Sequence, residues 1–261
     1  MYMDMSLRSV DILGIQVTPV SSDDILKKVN QWVGDRQKHY ICLCPSYSII
    51  MSRKHPEFRQ ALNQASIVTA DGKAVALACK FHGYRHAQHV RGADLIRLVC
   101  QMSSQRGFSN FFYGATEAVL EKLVDKLQQQ YPKLQVAGAY APPFRALTPQ
   151  EQREMIERIN ASYADIVWIG LGAPKQELWM AQHTQDLQAS VIIGVGAAFD
   201  FASGAKAEAP RWMQKAALEW VFRLAQEPRR MWRRCVHYPA FMAQVIIQRL
   251  HRGIEVVEII K

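Results

Sequence analysis

"DIVWIGLGAPKQELWM", residues 165–180, decides how the rest of the chain is read. Asp165 to Gly172 is a short apolar run rich in β-branched residues that ends in glycine, and Ala173 to Met180 continues it as the first turns of a helix. Strand, glycine turn and helix in that order form the repeating unit of an α/β domain with a mainly parallel sheet. The same unit recurs outward in both directions. Candidate strands are "YICLC" (Tyr40 to Cys44), "SIVTA" (Ser66 to Ala70), "NFFYG" (Asn110 to Gly114), "LQVAGAY" and "SVIIGVG" (Ser190 to Gly196). Between them, "SSDDILKKVNQWVGD" offers Ser22, Asp23 and Asp24 as cap and first-turn acids, with Ile25, Val29 and Val33 on one face. "TPQEQREMIERINAS" opens Thr148-Pro149 with Glu151 at capping-box distance.

After Gly196 the character changes. "FDFASGAKAEAPRW" reads as a loop, and "RWMQKAALEWVFRLAQE" returns to helical spacing until Pro228 breaks it. The expected division is therefore an α/β domain over 1–204 and a basic helical appendage over 205–261. Charge supports a functional difference between the two parts. The chain carries a formal net charge of +9, and residues 205–261 hold eleven Lys or Arg against five Asp or Glu, so +6 of the +9 lies there. Such a balance points to an acidic partner: nucleic acid, anionic lipid or a phosphorylated substrate. The five cysteines are an odd number without metal-ligand spacing, and read as reduced thiols. The N-terminus, with Asp4 and Asp11, lacks a signal-peptide pattern, and no window reaches 18 apolar residues. A cytosolic protein is expected.

Several strand ends carry groups suited to a ligand. "YGATEAV", "GLGAPKQE" and "GVGAAFD" place Gly114, Gly172 and Gly196 where backbone N–H groups at a helix N-terminus meet a phosphate, or where any α/β turn needs a glycine. Lys175, Gln176 and Glu177 stand in a first turn, either solvated or reaching toward what the helix binds. "TADGKAV" sets Asp71 and Gly72 directly after a strand; the pair is a turn former, and Asp71 is also a candidate general base. "HVRGADLI" offers Arg91 and Gly92, as a phosphate ligand or a surface pair. No D-x-D pair, H-E-x-x-H, P-loop or G-x-S-x-G is present. Neither a metal nor a cofactor is expected, so a diphosphate leaving group would fall to the tail arginines.

Taken in order, "HPEFRQALNQASIVTADG", "RGADL", "GLGAPKQELWM", "GVGAAFDFASG" and "APRWMQKAALEWVFRLAQEPRRMWRR" resemble the WecG/TagA/CpsF family, glycosyltransferase family 26. The resemblance implies a Rossmann-like sheet with a C-terminal appendage that docks on the membrane and completes the active site. It implies a bacterial, inverting, metal-independent enzyme. That enzyme moves a hexose-type sugar from a UDP-sugar to a sugar on polyprenyl (undecaprenyl) diphosphate, at the cytoplasmic face of the inner membrane, in surface polysaccharide biosynthesis. It makes Asp71 the base and adds Gln176 and Asp200 to the substrate contacts. Arg223, Arg230 and Arg233 would hold the donor diphosphate. Where the family often has Thr and Asn, this chain has Leu43 and Pro45; Ser46 or Ser48 would substitute. The remaining basic and aromatic residues, Arg229, Trp232, Arg234, Tyr238, Phe241, Arg249 and Arg252, would meet anionic lipid as an interfacial helix. A homo-oligomer is compatible with this reading.

Two rival classes stay in view. A nucleic-acid-binding α/β protein also fits basic residues with interleaved aromatics, although the tail's Ile, Val and Met suit lipid better. A nicotinamide-dependent oxidoreductase lacks its G-x-G-x-x-G fingerprint.

Overall fold

The computed structural model describes residues 7–216 and 218–259, with the side chains of Arg230, Arg233, Arg234 and residues 252–259 outside the description. The chain opens with a hairpin, β1 (Val10–Ile12) and β2 (Ile15–Val17), followed by α1 (Ser22–Gly34). β3 (His39–Cys44), α2 (Ser46–Ser52), α3 (Pro56–Asn63), β4 (Ile67–Ala70), α4 (Lys73–Phe81) and α5 (Gly92–Arg106) come next. The second half runs β5 (Ser109–Gly114), α6 (Glu117–Gln130), β6 (Gln135–Tyr140), α7 (Pro149–Ala161), β7 (Ile166–Gly170), α8 (Lys175–His183), β8 (Val191–Gly194) and α9 (Ala198–Ala202). Four helices complete it: α10 (Arg211–Lys215), α11 (Glu219–Gln226), α12 (Pro228–Cys235) and α13 (His237–Ile259).

Strands β3 to β8 form one parallel sheet in the order β4-β3-β8-β7-β5-β6. Helices cover both of its faces, the arrangement that parallel strands require because each side of every strand must be buried. The alternation is visible in single strands. Cys42 and Cys44 of β3 and Val167 and Ile169 of β7 join one apolar layer; Ile41, Leu43, Ile166 and Trp168 join the other. Each such Ile or Leu contributes about 1.5–3 kcal/mol by leaving water. Trp168 keeps its indole satisfied in the core by donating Nε1–H to Asn110 Oδ1 at 2.9 Å.

All six expected strands are present, and α1, α7 and α8 fall where the sequence places them, with three differences. The cap of α1 is Ser21 rather than Ser22, because only Ser21 stands three residues before Asp24 and so closes a capping box with it. The hairpin of β1 and β2, too short to show a period, covers the free edge of β4: Thr18 N–H donates to Val68 O at 2.8 Å, and Val68 N–H to Thr18 Oγ1 at 3.1 Å. The helix read through "RWMQKAALEWVFRLAQE" is two helices, α10 and α11, and part of the supposed loop before it is α9.

Candidate active site

Parallel α/β sheets bind ligands outside the carboxyl ends of their strands. Here the residues just past β3, β4, β7 and β8 include Pro45, Asp71, Gly172 and Gly196, and each lines at least one of two adjoining clefts. The larger, about 510 Å³, lies between the end of β4 and helices α11 to α13, a volume suited to a small organic ligand. The smaller, about 90 Å³, lies between the turns after β7 and β8 and the N-terminus of α5. Pro45, Tyr47, Asp71, Glu219 and Arg223 line both, so the two clefts meet around these side chains.

Gly72 supplies the turn that aims Asp71, with a φ of 112° that a side chain would strain. The carboxylate is 36% exposed, and His89 Nε2 stands 3.8 Å from its Oδ1. On the opposite wall are Trp220, Arg223, Cys235 and Tyr238 from the C-terminal helices. Arg223 lies over the Phe201 ring at 4.6 Å and donates to Glu219 Oε1 at 2.7 Å; its Nε is buried with no partner among the described residues. Lys73 Nζ donates to Lys215 O, tying the start of α4 to the end of α10.

Beneath the smaller cleft, Gln176 and Glu177 are both buried, whereas Lys175 is exposed and lines neither cleft. Gly172 N–H donates to Gln176 Oε1 at 3.1 Å, and Gln176 Nε2 donates to Glu177 Oε1 at 2.9 Å. The amide of Gln176 thus has one orientation, set from both ends. Glu177, 1% exposed, leaves its Oε2 without a described partner. Burial pushes its carboxyl up to about 7, against the opposing pull of the Gln176 hydrogen bond.

Several expected contacts are corrected. Arg91 lines the smaller cleft, but it is no free phosphate ligand: its guanidinium is already engaged by Asp94, Glu208, Glu219 and Gln214. Asp200 lines neither cleft and pairs with Lys206 at 3.1 Å. Gly114 is required by packing rather than by a ligand, since a Cβ there would meet the Gly170 backbone at 2.5 Å. Gly92 does line the smaller cleft, but it too is fixed by packing, with Ala198 Cβ 2.8 Å from where its own would be. Ser46 shares its hydrogen bond with Tyr238, whereas Ser48, its hydroxyl buried and unpartnered among the described residues, lines the smaller cleft.

The lipid-facing set also divides. Phe241 is 0% exposed and belongs to the core, because the face of α13 that carries Phe241 and Val245 packs back on the body. One turn earlier Tyr238 lines the larger cleft, its hydroxyl raised by burial, with Cys235 and Asp71 adding to the effect. Arg229 and Arg249 are exposed, and Trp232 is 65% exposed. The side chains of Arg230, Arg233, Arg234 and Arg252, expected on diphosphate or lipid, lie outside the described residues. Motif reading missed Glu219, Trp220 and Tyr47. The spacing of Glu219 and Arg223, one helical turn apart in "LEWVFR", was the available signal.

A parallel sheet with its clefts at the strand carboxyl ends and helices closing them from the far end of the chain defines an α/β protein built around a ligand. Residues 10–254 match the Glycosyl transferase WecG/TagA/CpsF family, and the chain belongs to that family of glycosyltransferases. Among its relatives is a Bacillus spizizenii protein, 29% identical over 74% of this chain and 73% of the relative, named N-acetylglucosaminyldiphosphoundecaprenol N-acetyl-beta-D-mannosaminyltransferase. A Staphylococcus aureus protein (strain MW2) of the same name is 26% identical over 90% of this chain and 91% of its own length.

Proposed function

We propose that the chain transfers a hexose-type sugar from a UDP-sugar to a sugar carried on polyprenyl diphosphate, by a single displacement that inverts the donor carbon and uses no metal. The acceptor class is the one in the relatives' names. The observation that carries the reading is that Asp71, from the body, and Arg223, from the C-terminal helices, line the same cleft. In this reading Asp71 takes the proton of the acceptor hydroxyl as that oxygen attacks, and the bond to the departing UDP breaks on the opposite face. Arg223, with Arg230 and Arg233, meets the charge that grows on the diphosphate. Gln176, held in one orientation, and Ser48 are suited to the donor's polar groups.

Residues 205–261 would then act as the appendage that approaches the membrane, where the acceptor lies. Among the described residues no helix is long and apolar enough to cross a bilayer. Trp212, Trp232, Val236, Ile246, Ile247 and Leu250 are exposed on the last helices, an apolar set that accompanies the +6 charge and suits an interfacial mode. The same surface argues against the nucleic-acid alternative, because aliphatic side chains stack no bases.

The test is a panel of UDP-sugars incubated with a short-chain polyprenyl diphosphate carrying N-acetylglucosamine, in buffer with EDTA, scored by UDP release. Release with one donor class, dependent on acceptor and unaffected by EDTA, is expected; no release with any donor overturns the reading. Co-sedimentation with anionic vesicles and not with oligonucleotides is the matching result for the surface.

A further inference from the structure

Arg91 occupies the N-cap position of α5 and is only 13% exposed along its side chain. Its Nε donates to Glu219 Oε2 at 3.1 Å, its Nη1 to Asp94 Oδ2 and Gln214 Oε1 at 2.9 Å each, and its Nη2 to Glu208 Oε2 at 3.0 Å. Three of these four partners come from residues 208–219, the segment that begins the C-terminal helices. Glu208 also pairs with Arg97, and Glu219 Oε1 accepts from Arg223 Nη2 at 2.7 Å. Arg91, Arg97 and Arg223 are thus balanced by Asp94, Glu208 and Glu219 without any added ion.

We infer that Glu219 is a positioning residue: one carboxylate bridges Arg91 of the body and Arg223 of α11, and so sets where Arg223 stands over the cleft of Asp71. The inference rests on the sugar-transfer reading of that cleft. The geometry favours a clamp over an anion site. A diphosphate that took Arg91 would leave Glu208 and Glu219, 20% and 17% exposed, as largely buried carboxylates with part of their pairing lost. Glu219 also stands one turn before Arg223 on the same helix, so fixing the first fixes the second. The network further explains how α10 and α11 hold their place with no fully buried residue of their own.

Two readouts separate the clamp from its alternatives. Limited trypsin digestion of the full-length protein needs no substrate: Glu219→Ala should speed cleavage at the exposed Arg211 and Lys215 by about tenfold, and Glu219→Gln by less. In the UDP-release assay the same variants should raise the donor KM by about tenfold and severalfold, with kcat changed less than KM. Glu219→Ala combined with Arg91→Gln should add little to Arg91→Gln alone, because the pair acts as one unit. Unchanged tryptic rates overturn the inference. So does tighter UDP binding to Glu219→Ala than to the wild type, followed by tryptophan fluorescence, because Glu219 would then merely occupy the anion's place. Should the wild type release no UDP from any donor, the functional reading fails while the trypsin result still decides the clamp.

Discussion

In the body, Ile166, Val167, Trp168 and Ile169 of β7 are all 0% exposed, two on each face of the sheet; α10 and α11 contain no fully buried residue at all. The first region is held by removing apolar surface from water, a term that dissolved ions do not screen. The second is held by Arg91, Glu208, Glu219 and Lys206, with Glu227 pairing Lys206 at 2.6 Å, while among the described residues of the later helices Phe241 and Val245 join the apolar core and Met242 packs against it. Ion pairs at partial exposure weaken with ionic strength and with competing anions. The part of the molecule that would meet a charged donor and a charged membrane is therefore the part whose attachment responds to charge.

The contrast can be broken at its largest expected effect by Asp71→Asn. Turnover in the UDP-release assay should fall by roughly 10²–10⁴, while the thermal unfolding midpoint stays unchanged, because the carboxylate lies outside the packed core. Retained turnover would move the base elsewhere. Next is Phe241→Ala. A side chain facing lipid would cost nothing in water, but one buried under the body should lower unfolding free energy by about 3–5 kcal/mol, read by denaturant titration. Deleting the whole tail is a poorer experiment for the same reason, since it strips Phe241 and Val245 from the core.

The smallest effect concerns Glu177. Its folded value is raised from 4.5 to about 7 by burial, so the folded state keeps a proton that the unfolded chain releases. Stability from this group is fully present below about pH 4.5 and lost as pH rises through 7. Glu177→Gln should then unfold at the same temperature as the wild type near pH 4 and at a higher temperature at pH 8. The full difference is on the order of 3 kcal/mol. An equal shift at both pH values would mean that the proton is not the cause.

Much of this was legible beforehand. Strands with both faces apolar, glycine turns and the Thr148 capping box are local patterns, and local patterns survive folding. Asp71 was legible as an acid placed directly after a strand. Phe241 and Tyr238 were misread because an amphipathic helix has the same spacing whether its apolar face meets lipid or the protein's own core. Asp200 was misread, and the partners of Arg91 were missed, because a charged residue in a motif does not announce its partner: Lys206 lies close to Asp200, whereas Glu208 and Glu219 lie more than a hundred residues from Arg91.

The sequence by itself determined the layering, the place of the acid at a strand end and the charge of the last helices, since each follows from composition and period within a few residues. Only the tertiary structure decided which arginine faces which carboxylate, that Glu177 is buried deeply enough to hold a proton near neutrality, and which face of α13 turns inward. Those outcomes depend on the distance and burial of groups far apart in the chain, and no local pattern encodes them.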